Sequence, residues 1–96
     1  MKMWRRCFQK NPDIVSRKIA DEVILVPIRR TVADLESIYT LNEVAAKIWE
    51  LIDGRRTTSQ IRDSIVEEFE VDIPEAEEDL IQFLQELETI NGIKEV

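Results

Sequence analysis

The chain changes its apolar rhythm near residue 40. Before that point apolar residues come in short runs; after it they recur at steps of three and four. Ile14 to Ala20 reads as a strand with weak alternation, and Asp21-Glu22 as a tight polar break. Glu22 to Ile28 is the strongest strand, because Val23, Ile24, Leu25 and Val26 are mostly β-branched. An unbroken apolar run predicts burial on both faces, or nearly so. Pro27 cannot donate to a ladder, so the strand should end or sit at an edge there. Arg29 to Asp34 reads as a charged connection, and Leu35 to Thr40 as a third, shorter strand. Short breaks between three strands predict an antiparallel meander.

The helical rhythm then takes over. Leu41, Val44, Ala45, Ile48, Leu51 and Ile52 share one side of a helix, and Trp49 extends that stripe. Thr40 and Glu43 fit a capping box, with Asn42 as a rival cap. Asp53-Gly54 is a stop signal. Thr57 and Gln60 form a second capping box before a helix over about 58–70, built on Ile61, Ile65, Val66 and Phe69. Asp72 is a candidate cap for a third helix over about 74–90, with Pro74 in its first turn. Ala76, Leu80, Phe83, Leu84, Leu87 and Ile90 form its core stripe, and Asn91-Gly92 closes it. The expected fold is α+β: an N-terminal three-stranded antiparallel sheet followed by three helices, in a winged helix-turn-helix-like arrangement.

Length and charge narrow the picture. Ninety-six residues make one domain with one modest core, and a deep catalytic cavity would be hard to fit beside it. The net charge of −7 is uneven. Residues 1–12 hold Lys2, Arg5, Arg6 and Lys10 and no acid, so they read as a basic N-terminal tail ahead of a domain over 13–96. Trp4 and Phe8 in that segment could lie on one face of a short helix, anchor the tail on the body, or mediate a homodimer. The remainder is strongly acidic and should repel nucleic acid. Cys7 is the only cysteine, which excludes an internal disulfide and fits a reducing compartment. No apolar run approaches the ~20 residues that a membrane helix needs, so a cytoplasmic protein that does not enter membranes is expected.

Catalytic chemistry finds little to stand on. There is no histidine, which removes the commonest general base and metal ligand. Cys7 has no imidazole to activate it, and no four-ligand metal spacing exists. Gly54 and Gly92 are the only glycines and fall at helix ends, so no phosphate-cradling loop can be built. No catalytic residue, cofactor or metal is expected. The third helix lacks the bases of a DNA-reading helix and presents Glu75, Glu77, Glu78, Asp79, Glu86 and Glu88 instead.

Leu41-Asn42-Glu43, Ala45, Ile48-Trp49, Leu51, Asp53-Gly54, Thr57 and Ile61, in that order, resemble the coenzyme PQQ synthesis protein D (PqqD) family, also called the precursor-peptide recognition element. The resemblance covers roughly residues 13–93; Met1 to Pro12 carry no motif of it. It implies a non-catalytic carrier that binds the leader of a ribosomally made precursor peptide. The carrier would present that leader to a modifying enzyme, commonly a radical S-adenosylmethionine (SAM) enzyme, as in PQQ biosynthesis.

In relatives the leader adds a strand beside the third strand and lies against the third helix. Here that maps onto Glu36, Ser37, Ile38, Tyr39 and Thr40. On the third helix, Ile81 lies well off the core stripe among Glu77, Leu84, Gln85 and Glu88, which makes that flank the first candidate wall for an amphipathic, partly basic peptide. The opposite flank, around Phe83 and Ile90, is the second candidate. A winged-helix transcription regulator and a dimerising structural subunit are the alternative readings.

Overall fold

A computed structural model describes residues 2–28 and 39–96 of the chain. The chain opens with a 3-10 turn over Lys2–Arg5. Five strands and three helices follow: β1 (Phe8–Lys10), β2 (Ile14–Ile19), β3 (Glu22–Pro27), β4 (Tyr39–Leu41), α1 (Glu43–Leu51), α2 (Thr58–Phe69), α3 (Ile73–Thr89) and β5 (Ile93–Glu95).

The sheet β2-β3-β4 is antiparallel throughout, with Ile14 opposite Pro27 and Leu25 opposite Ser16 and Tyr39. Its first hairpin turns through Ala20-Asp21, one residue earlier than the polar break in the sequence suggests. Glu22 is already in the strand, paired with Ile19. Ala20 takes φ 56, a left-handed conformation in which a Cβ is unfavourable. Leu25 and Val26 are consecutive and both buried, as an unbroken apolar strand requires, and β3 ends at Pro27. Residues 35–38 of the expected third strand lie outside the described residues.

Each helix begins at a side chain that satisfies an orphan amide. Asn42 caps α1, its Oδ1 accepting from the Ala45 N–H at 2.8 Å. Thr40 does not cap, because it is held in the ladder opposite Ile24. Thr57 and Gln60 form the full capping box of α2. Asp72 caps α3 through the Glu75 N–H at 3.0 Å, with Pro74 in the first turn. At the far end Asn91 adopts φ 62, and the Gly92 N–H reaches back to the Leu87 carbonyl at 2.7 Å. The Asn91 N–H bonds the Glu88 carbonyl, completing a Schellman closure with asparagine in the left-handed position.

The core gathers one stripe from each helix against the inner sheet face. Leu25 and Leu41 meet Ile48, Ile52, Ile61, Ile65, Leu80, Leu84 and Leu87, all nearly inaccessible to water. Residues 2–10 join this body rather than forming a solvated tail. β1 pairs with β5, Phe8 opposite Glu95 and Lys10 opposite Ile93. Phe8 is 2 % exposed and belongs to the core. Burying one phenyl ring contributes about 1.5–3 kcal/mol, enough to hold a short segment down. Gly54, at φ 79, donates its N–H to the Phe8 carbonyl at 2.8 Å, so the turn after α1 closes over β1. Phe8 is thereby engaged within the chain, whereas Trp4, the other residue on which the expectation of a dimer rested, is half-buried. Among the described residues, no helix is long and apolar enough to cross a membrane.

Candidate functional site

β4 is one border of its sheet, and β2 is the other. β4 pairs with β3 on one side, and among the described residues no strand pairs with its other side. Such a border offers amides and carbonyls that an extended backbone can complete.

Beside that border lies a groove of about 220 Å³. Tyr39 and Thr40 of β4 line one wall, and Asp79, Gln82, Phe83 and Glu86 of α3 line the other. Val44, Ala45 and Ile48 of α1 supply an apolar floor between them. Phe83 and Ile48 are buried in the core as well, so the floor is rigid. The residues from Asp79 to Glu86 span two turns of helix, so the groove runs about 10 Å along α3.

The sequence-derived site residues divide between this groove and elsewhere. Tyr39 and Thr40 are in it. Glu36, Ser37 and Ile38 lie outside the described residues. Glu77, Ile81, Leu84, Gln85 and Glu88 lie on the opposite flank of α3 and are not among the residues that line this groove. Helical geometry places them roughly half a turn from Asp79, Gln82 and Glu86.

Their partners show where that flank faces. Glu77 is bound by Arg62 of α2 at 3.0 Å. Arg62 stacks over the Trp4 ring, 5.2 Å from its centre, and also holds Asp63 at 3.0 Å. The hydrogen bond that Arg62 donates to the Asp63 carboxylate is the main reason that its guanidinium is held above its ordinary pKa. Glu88 lies 3.9 Å from Arg6, which also bonds Glu95 at 2.7 Å. Leu84 is 2 % exposed and points into the core. On the first candidate wall, Glu77 is therefore engaged by α2 and Leu84 by the core, while Gln85 and Glu88 remain exposed. The wall that faces β4 is the second candidate, around Phe83; Ile90 is half-buried and does not line the groove.

A larger open depression, about 930 Å³, lies on the other side of α1. Its rim carries Lys10, Lys18 and Lys47 together with Asp21, Glu43, Glu50 and Glu68. Glu68 and Glu50 hold Lys47 at 3.3 and 3.7 Å, and Lys10 lies over Trp49. Charges of both signs surround it, and of β4 only Leu41 is among its walls, without Tyr39 or Thr40. Among the described residues, no group of three or more His, Cys, Asp or Glu side chains could hold a metal ion. Cys7 is half-buried, its thiol directed at the Arg55 carbonyl at 3.6 Å.

Fold and groove together define a small α+β module in which a sheet border, unpaired among the described residues, shares a groove with a long helix. The chain belongs to the family described as coenzyme PQQ synthesis protein D (PqqD), which matches residues 22–91. A solved structure with a similar fold is that of TbiB1 in complex with the TbiA(beta) leader peptide. The two share 29 % identity and a TM-score of 0.72, over 90 % of this chain and 94 % of that one. No curated protein matches the chain.

Proposed function

We propose that the protein is a non-catalytic carrier that binds the leader of a ribosomally made precursor peptide by strand addition at β4. The observation that carries this reading is an edge strand, β4, unpaired on one side among the described residues and lining a groove with α3, in a chain similar to a protein solved with a leader peptide. Backbone pairing would supply register and much of the affinity, and the groove would select side chains. The family relationship supports presentation to a radical SAM enzyme, as in PQQ biosynthesis, as the next step. DNA recognition by α3 is disfavoured on physical grounds, because an acidic helix gains nothing from displacing phosphate counterions.

The test is an amide-resolved titration with a synthetic leader encoded beside the gene. Resonances of Tyr39 to Leu41 and of Asp79 to Glu86 should shift together, and slowed exchange in β4 should accompany them. Shifts confined to Glu77, Ile81, Gln85 and Glu88 would place the peptide on the other flank and reject this site. Co-purification with the radical enzyme of the same gene cluster tests the presentation step; a leader that is modified equally well without this protein argues against it.

A further inference from the structure

We propose that the groove selects leaders in which an apolar residue is flanked, two positions to each side, by lysine or arginine. This rests on the strand-addition reading and adds to it the chemistry of the ligand. The starting point is how α3 disposes of its acids. On the flank facing α2, Glu77 is neutralised by Arg62 and Glu88 lies near Arg6. On the groove flank, Asp79 and Glu86 have no cationic partner among the described residues. Both line the groove, and Glu86 is half-buried there.

Two unpaired carboxylates beside an apolar floor set a complementary demand. A cation docked there gains more than it would in open water, because the apolar wall lowers the local dielectric. An acidic residue would be repelled by both carboxylates and by a body of net charge −7.

Spacing then converts charge into a pattern. Asp79 and Glu86 are seven residues apart, about 10.5 Å along the helix. An extended peptide repeats its facing side chains every ~6.7 Å, so positions i, i+2 and i+4 span about 13 Å. The flexible stems of lysine and arginine take up that small difference. The central residue of the three then falls over Ile48 and Phe83, which accept an apolar side chain.

The experiment selects displayed random twelve-residue peptides on the full chain and sequences the enriched pool. Enriched synthetic peptides are then titrated while Tyr39 to Leu41 amides are followed. We expect a lysine or arginine two positions either side of a central leucine, isoleucine, valine or phenylalanine. Binding should weaken about tenfold between 0.05 and 0.5 M salt. The double variant Asp79→Lys/Glu86→Lys should invert the preference toward acids. Should that variant fold poorly, the neutral pair Asp79→Asn/Glu86→Gln should lose the preference for cations. Enriched peptides that move the β4 amides without any preference for cations overturn the pattern and leave the carrier reading standing. No enrichment, or binding that leaves β4 untouched, overturns the carrier reading and the pattern with it.

Discussion

The two flanks of α3 carry the same kind of residue and meet opposite fates. Both are acidic beside the apolar stripe. On one, Glu77 is tied to Arg62, Arg62 is stacked on Trp4, and Glu88 lies near Arg6. On that flank α2 and the N-terminal segment supply cations to two of the acids. On the other, Asp79 and Glu86 have no cationic partner among the described residues and line a groove whose far wall is β4, unpaired on one side among those residues. Composition alone does not make a helix face a binding surface. What the neighbouring elements have already supplied decides it.

Phe83 and Leu84 give the sharpest way to test that contrast. They are adjacent, and both are buried, at 5 % and 2 % exposed. Truncating either to alanine should cost several kcal/mol of stability, about 3–5 for Phe83→Ala and 2–5 for Leu84→Ala. Thermal denaturation reads that loss. Peptide affinity, measured well below the melting temperature, should fall only in Phe83→Ala, because only Phe83 lines the groove. Equal losses of affinity in both would mean that the two flanks do not differ in the way described.

A smaller effect is expected from cutting the tie on the closed flank. Arg62→Ala removes contacts to Glu77, Asp63 and Trp4 at once. The side chain is partly solvated, so the loss should be about 1 kcal/mol by chemical denaturation. Affinity for a groove-binding peptide should stay within about twofold, since Arg62 does not line the groove and binds the opposite flank of α3. A gain of peptide binding on the Glu77 flank in this variant would show that Arg62 had been masking a second site.

Asn91→Gly serves as a control that touches α3 on neither flank. Asn91 sits at φ 62, where glycine carries no Cβ strain. Stability should rise by about 0.5 kcal/mol, read as a higher denaturation midpoint, with affinity unchanged. A fall in stability would mean that the asparagine side chain contributes more than its backbone conformation costs.

Much of this architecture was legible in the residues. The Val23–Val26 run, the Thr57–Gln60 box and the Asp72–Pro74 start each act through local chemistry, and each appears where that chemistry places it. The cap of α1 was ambiguous because Thr40 and Asn42 both qualify; ladder pairing with Ile24 removed Thr40 from the competition. The N-terminal strand was not legible. Pairing of Phe8 with Glu95 joins the two ends of the chain, and three-residue strands carry no periodicity of their own. Nor could helical spacing alone say which acidic flank of α3 faces β4. The usable signal lay elsewhere, in Arg62 and Arg6, whose contacts exist only once α2 and the N-terminal segment are in place.

The smallest predicted effect concerns the turn that fastens the closed end of the molecule. Asp53 Oδ1 accepts the backbone N–H groups of Arg55 and Arg56 at 2.9 and 2.8 Å, and Oδ2 lies 2.9 Å from the Arg56 guanidinium. Those two backbone bonds, first the one from Arg56, hold the carboxyl below its ordinary value of 3.8. Protonation removes a favoured acceptor from the folded turn, whereas in the unfolded chain nothing is lost. The turn's contribution is therefore whole above pH 3.8 and disappears as pH falls through the lower folded value. The Arg55 and Arg56 amide resonances should titrate with a midpoint below 3.8, and Asp53→Asn should abolish that step. Tyr39 and Thr40 amides should not follow it, because this turn packs on β1 through Gly54 and not on the groove. A midpoint at or above 3.8 would show that the two backbone bonds do not hold the carboxylate, and a parallel shift in β4 would show that this turn and the groove are coupled.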